Sequence, residues 1–237
     1  MLAFVGELAP PPQRNDLLAA LPEDEFRALQ PQLEYVRLPL RKLLYEPGEV
    51  ASHVYFPTDG IVSFLHMNDS GASTELAVVG RDGMVGLAAV LGGHQPVVIR
   101  AVVQAAGHAY RLPSREARAR LGQGGLFQQI VLGFAYSLMV QFSQTALCNL
   151  HHTVEQHLCR RLLLCLDRLQ DNEFRMTHEL IADMLGVRRQ GVTEAARKLQ
   201  AQQIISYSRG HITVLDRQRL ERSACDCYRA LKSHTRT

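Results

Sequence analysis

The chain has 237 residues, 46% hydrophobic and 21% charged, with no tryptophan and a formal net charge of +3. That balance sets aside a disordered chain and allows one or two domains, each with its own core. The small net charge conceals a division: residues 1–156 hold 11 Lys/Arg against 14 Asp/Glu, whereas residues 157–237 hold 15 against 9. The C-terminal part is therefore basic, as expected where phosphates are bound.

Residues 1–16 are proline-rich, with Pro10, Pro11 and Pro12 in a row, and read as a loose arm. Asn15 or Asp16 can cap a short helix through Leu21, and Pro22 to Glu25 looks like the first turn of a second helix ending at Leu29 or Leu33. Met1 to Pro12 lacks a basic region and a long apolar run, so no export signal is expected there.

From Val36 to Leu112 the texture changes to short alternating runs, such as Val54 to Phe56, Ile61 to Leu65, Glu75 to Val79 and Val97 to Val103. They are separated by turn dipeptides such as Pro47-Gly48, Asp59-Gly60 and Gly92-Gly93. Short strands at regular spacing predict an antiparallel β-barrel or roll. Pro113 opens a helix through Leu121, and Gly122, Gly124 and Gly125 break it.

A long helix follows. Phe127, Val131, Phe134, Leu138, Phe142 and Thr145 step by four, three, four, four and three, close to the 3.5-residue period of a coiled-coil seam. These six are the expected interface of a homodimer. Packing of the same helix on its own β-domain is the alternative, and one helix can do both with different faces. The apolar window Leu126 to Leu150 also raises a membrane span, but Gln128, Gln129, Gln141, Ser143 and Gln144 would be costly in lipid. A hinge is expected near Asn149 to Thr153, then a helix over 154–169 with an apolar stripe at Leu158, Leu162, Cys165, Leu166 and Leu169.

The stretch His178 to Arg197 has helix-turn-helix spacing. Ala182 falls where two helices cross closely, and Gly186 falls at the turn, where a positive φ favours glycine. Ile181, Leu185, Val187, Val192 and Ala195 supply the contacts between the two helices. Thr177 caps the first helix and leaves amide groups free for a phosphate. Ile204 to Leu215 alternates around Arg209-Gly210, predicting a hairpin wing, and a last helix is expected from Asp216 to Leu231.

This order resembles the Crp/Fnr family of bacterial transcription regulators over nearly the whole chain. Two stretches carry the resemblance: Leu44 to Glu49 with Val54 to Val62, and Thr177 to Ile205 with its wing. It implies an α+β fold: an N-terminal double-stranded β-roll at 14–125, a dimerisation helix at 126–150 and a winged helix-turn-helix at 151–237. It also implies a cytoplasmic homodimer on double-stranded DNA, partnered by RNA polymerase if it activates, with no membrane and no enzyme activity. No nucleophile elbow, phosphate loop or metalloprotease motif points to catalysis.

By this resemblance Arg189, Gln190 and Glu194 face base edges. Arg189 can pair with guanine and Gln190 with adenine, while Glu194 accepts from cytosine or orients Arg189 or Arg197. Thr177, His178, Arg188, Arg197, Lys198, Arg209 and His211 would meet phosphates. The best-known relatives carry Arg-Glu and then Arg where this chain has Arg189-Gln190 and Glu194, so its operator should differ. Gly191, inside the second helix, either admits close approach to DNA or has no special role.

In the roll, cyclic-AMP binders hold the nucleotide with a Gly-Glu pair and an Arg-Ser pair. Here Gly86 is followed by Leu87, and Arg100 falls three residues late. Leaving a ribose hydroxyl unpaired against Leu87 costs roughly 1–3 kcal/mol. Gly86, Leu87 and Arg100 remain candidates for a different effector, and no cofactor is expected.

The five cysteines are Cys148, Cys159, Cys165, Cys225 and Cys227, too far along the chain for the N-terminal iron–sulfur ligands of some relatives. Cys148, His151, His152, Glu155, His157 and Cys159 have spacings that could suit zinc on one unbroken helix. The expected hinge interrupts that helix, so no metal site is expected. Cys225 and Cys227 are too close for an ordinary bridge. The alternatives to a DNA-binding regulator with an unidentified effector are a redox- or metal-responsive member of the same family and a regulatory subunit that does not bind DNA.

Overall fold

In the computed structural model, residues 9–68, 73–93, 95–169 and 171–234 are described, so the first half of the N-terminal arm lies outside the described residues. Asn15 settles the choice of first cap. Its Oδ1 accepts from the amides of Leu17 and Leu18, capping α1 (Asp16–Ala19), and its Nδ2 donates to the carbonyls of Pro57 and Gly83 at 3.0 and 2.8 Å. One buried side chain thus fixes the helix start and ties it to the roll. α2 (Glu23–Leu29) stops at Leu29, where Gln30–Gln32 tighten into a 3-10 turn around Pro31.

The roll uses β1 (Glu34–Leu38), β2 (Leu43–Tyr45), β3 (His53–Pro57), β4 (Ile61–Met67), β5 (Ser73–Val79), β6 (Arg100–Ala105) and β7 (Gly107–Pro113). They form two antiparallel sheets, β1-β7-β3 and β2-β6-β4-β5, and the inward residues Val54, Phe56, Val62, Phe64, Val103, Tyr110 and Leu112 meet in one core. The run predicted from Val97 becomes a strand only at Arg100. α3 (Leu87–Leu91) begins at Gly86, whose φ is +101°; a Cβ there would lie 2.5 Å from the Tyr45 hydroxyl, so only glycine fits.

After α4 (Ser114–Gly122) comes α5 (Gly125–His151), 27 residues without one Asp, Glu, Lys or Arg. Its length and mean hydropathy of 1.4 would suit a membrane span, yet one face is committed to protein. Phe127, Val131, Phe134 and Leu138 lie in the core of the roll, with half-buried Phe142 packed against it. Gln141 exchanges hydrogen bonds with the backbone of Val78, and Thr145 is buried under Arg160. Five residues of the seam expected to face a second subunit therefore face their own roll and the sixth, Thr145, faces α6; groups buried inside one protomer cannot line its surface. Besides Leu126 at its start, the exposed large apolar residues of α5 are Leu132, Tyr136, Met139, Leu147 and Leu150. With Ser143 they repeat the same steps five residues further on.

α5 runs through His151, and the break is confined to extended His152 and Thr153. Thr153 then forms a capping box with Gln156 and starts α6 (Val154–Leu166), which ends before the expected Leu169. The remaining elements are β8 (Glu173–Arg175), α7 (His178–Leu185), α8 (Arg189–Ala201), β9 (Ile205–Ser208), β10 (His211–Val214), α9 (Arg217–Ser223) and α10 (Asp226–His234). The single last helix expected is in fact two, because Ala224 is extended and turns Cys225 inward.

The second core gathers Leu158, Leu162, Phe174, Ile181, Val192, Leu199, Ile205, Ile212 and Leu220, and it takes in Ile61 and Val78 from the roll. Charge reinforces this join. Arg161 pairs with Glu75 at 2.8 Å with both side chains buried, and Arg168 pairs with Asp82 at 2.7 Å. Arg161 also donates to Gln104, whose Oε1 accepts from Ser63 at 2.6 Å. Burial pushes the Glu75 carboxyl up, and Arg161 beside it pulls it back.

Candidate nucleic-acid interface

α7 begins where Thr177 Oγ1 accepts from the Leu180 amide at 3.2 Å. It ends at Gly186, left-handed at φ 65° and ψ 32°, and the Val187 amide returns to the Ala182 carbonyl at 3.0 Å. A Cβ on Gly186 would also press on Thr74 Oγ1 at 3.1 Å, so the turn packs against β5 of the roll. Arg188 is extended and passes the chain into α8.

α8 is divided by burial. Val192, Ala195, Ala196 and Leu199 are inside against α7 and α6, whereas Arg188, Arg189, Gln190, Glu194, Arg197 and Lys198 are exposed. The three predicted base-reading residues thus share an outer surface near the start of the helix. Gln190 Nε2 donates to Glu194 Oε1 at 3.2 Å, and Arg189 lies 3.8 Å from Glu179 on α7. Glu194 therefore orients Gln190, rather than Arg189 or Arg197 as expected. Glu179 was not singled out in the sequence, since only the crossing of α7 and α8 brings it to Arg189.

Gly191 turns the other way. A Cβ there would meet Val154 of α6 at 3.6 Å, ordinary van der Waals contact, so this glycine lies off the outer face.

The phosphate candidates divide as well. Arg188 and Arg197 are exposed. Lys198 is mostly exposed but leans toward Glu155 of α6 at 3.7 Å. Arg209, at φ 49°, and Gly210, at φ 81°, make the wing turn between β9 and β10. The wing has a third strand that the sequence reading missed: β8 pairs with β10, bringing Glu173 Oε1 to 3.2 Å from His211 Nδ1.

His178 does not reach outward. Its ring stacks on Tyr207 with centroids 4.1 Å apart, Nδ1 bonds Thr193 Oγ1 at 3.0 Å, and Nε2 is buried without a partner. Burial, with Arg189 and Arg197 adding to it, holds its pKa below the ordinary histidine value. A neutral ring wedged between α7, α8 and the wing is a packing piece, so His178 leaves the set of phosphate contacts.

In the roll, Gly86 packs against Tyr45 and Leu87 packs on the roll core, while Arg100 is clamped by Glu46, which follows β2, through bonds of 2.9 and 2.7 Å. The cation proposed for an effector is already paired. Of the suspected hinge ligands, His157 Nε2 bonds the Cys148 carbonyl at 2.7 Å and Cys159 lies in the second core. Cys148 and His152 instead meet Cys225 and Cys227.

Comparison with known proteins gives two domain matches: a cyclic nucleotide-binding domain over residues 35–123 and a Crp-like helix-turn-helix domain over residues 156–223. No curated protein matches the chain. Among solved structures it is similar to a transcriptional regulator of the crp/fnr family from Eubacterium rectale, at 17% identity and a TM-score of 0.69, covering 89% of this chain and 98% of that one. It is similar to FixK2 from Bradyrhizobium japonicum, at 16% identity and a TM-score of 0.66, covering 81% and 98%. It is also similar to CLP, the c-di-GMP responsive global regulator of Xanthomonas campestris, at 15% identity and a TM-score of 0.63, covering 81% and 99%. At such identities these likenesses concern the fold.

Proposed function

The chain belongs to the Crp/Fnr family of transcription regulators, and from that premise we propose that it is a cytoplasmic homodimer reading a near-palindromic operator through α8. The observation that carries this reading is the outer face of α8, where Arg189, Gln190 and Glu194 stand together on a helix whose opposite face is fully packed. Arg189 pairs with guanine through its two-pronged guanidinium, and Gln190, held by Glu194, pairs with adenine. Thr177, Arg188, Arg197, Lys198, Arg209 and His211 meet phosphates and set the register.

The dimer forms through the outward stripe of α5. Leu132, Tyr136, Met139 and Leu150 are 49%, 54%, 60% and 78% exposed, a continuous apolar surface unusual for a monomer. A twofold axis along that stripe sets two α8 helices into successive major grooves about 34 Å apart. An effector other than cyclic AMP acts at the roll, because Leu87 and the Arg100–Glu46 pair supply none of the expected polar anchors. RNA polymerase is the further partner if the regulator activates.

Selection of bound duplexes from random DNA by the purified full-length protein should return two inverted half-sites one helical turn apart. The Arg189→Ala protein should recover the same sites with preference flattened at one base pair per half, a loss of about 1–3 kcal/mol of discrimination. Enrichment of no sequence, or unchanged preference in the variant, would reject α8 as the reading element.

A further inference from the structure

We infer that Cys148, His152, Cys225 and Cys227 form a closed four-ligand zinc site that staples the end of α5 to the junction of α9 and α10. The four ligand atoms all lie within 4.8 Å of one another. Cys148 Sγ is 3.6 Å from Cys225 Sγ, and Cys227 Sγ is 3.6 Å from His152 Nδ1. A tetrahedral zinc with Zn–S of about 2.3 Å and Zn–N of about 2.0–2.1 Å has S···S edges of about 3.8 Å and S···N edges of about 3.5 Å. The two measured edges already match.

The surroundings support the same chemistry. Cys148, Cys225 and Cys227 are buried and form a cluster of their own, apart from both hydrophobic cores. The second ring nitrogen of His152, Nε2, faces Asp226 Oδ1 at 3.4 Å, placing a carboxylate behind a ligating imidazole. Arg160 is 6% exposed, with Nη1 on Thr145 Oγ1 and Nε without a partner; among the described residues it makes no ion pair within 4.0 Å, the Glu75 carboxylate acting on it only from farther off. It lies close enough to act electrostatically on all three thiols. Zinc bound by three thiolates and a neutral imidazole carries one net negative charge, which this guanidinium offsets.

Binding transfers no electrons. Each thiol gives its S–H proton to solvent and its sulfur lone pair to the metal, so up to three protons are released per zinc. With four protein ligands no position is left for substrate, as in a structural site rather than a catalytic one. The ligands bridge 77 residues of chain between Cys148 and Cys225, and His152 is itself the break between α5 and α6. Zinc there would hold the hinge in one setting.

The test uses untagged full-length protein, purified without chelators. Elemental analysis should find one zinc per chain, and cobalt(II) added to stripped, reduced protein should give the visible bands of tetrahedral thiolate-bound cobalt. Cys227→Ser should weaken those bands. Asp226→Asn keeps the ligands and changes a side chain that is 70% exposed, so it should fold and bind 10–100-fold more weakly in a chelator competition. Protein without stoichiometric zinc and without cobalt bands, whether its thiols are free or Cys148 and Cys225 are oxidised to a disulfide, would overturn the assignment. So would iron with inorganic sulfide in place of zinc, or an unchanged cobalt spectrum in Cys227→Ser. Unchanged affinity in His152→Ala would remove His152 as a ligand and overturn the four-ligand site.

Discussion

Arg209 sits in the left-handed region at the wing tip, where a side-chain-bearing residue is held at a cost of about 1–2 kcal/mol. Asparagine is favoured at that position of a two-residue hairpin turn. Arg209→Asn should therefore raise thermal stability while weakening binding to every duplex alike and lowering the salt slope by about one unit. Melting curves and binding titrations at several salt concentrations would measure both effects. His178 makes a second case. Its pKa is lowered in the fold, so its neutral form is favoured there, and the stability this contributes is present above the ordinary value of about 6.5 and lost as pH falls below it. The melting temperature should drop between pH 7.5 and pH 5.5, and His178→Gln should shrink that drop. An equal drop in both proteins would mean that His178 does not contribute.

Among the elements, α8 carries a glycine that its surroundings do not require. Gly191→Ala should stabilise the protein by about 1 kcal/mol with operator preference unchanged, measurable by denaturant titration and duplex selection, because the new methyl meets Val154 at an ordinary distance. The helix-turn-helix was legible in the sequence because its determinants, from Thr177 through Ala182 and Gly186 to Val192, are local. α5 was legible as a helix but not in its orientation. Periodicity picks the most apolar stripe, Phe127 to Thr145, and says nothing of whether a roll or a second subunit covers it. The roll takes that stripe, and the parallel one through Leu132, Tyr136 and Met139 is left outside. β8 was missed because three residues carry no period. The thiol cluster was half seen: the hinge ligands Cys148 and His152 drew attention, but only the fold brings Cys225 beside them from 77 residues away.

Over the whole molecule, Glu75 and Arg161 join the roll to the DNA-binding domain by a pair buried on both sides. Removing one partner leaves the other charged and buried, so Glu75→Ala should cost about 3–5 kcal/mol. Glu75→Gln with Arg161→Met should cost less than the sum of those two changes made singly, a difference a denaturant-based double-mutant cycle would report. The sequence showed each charge but not the pairing, since 86 positions separate them along the chain.

Ile61 and Val78 belong by sequence to the roll and by packing to the second core. A helix-turn-helix built into the same core as part of the roll does not swing on a string. In the proposed dimer each protomer is one jaw of a calliper, and the quantity open to adjustment is the opening between two jaws, measured against the fixed pitch of the double helix.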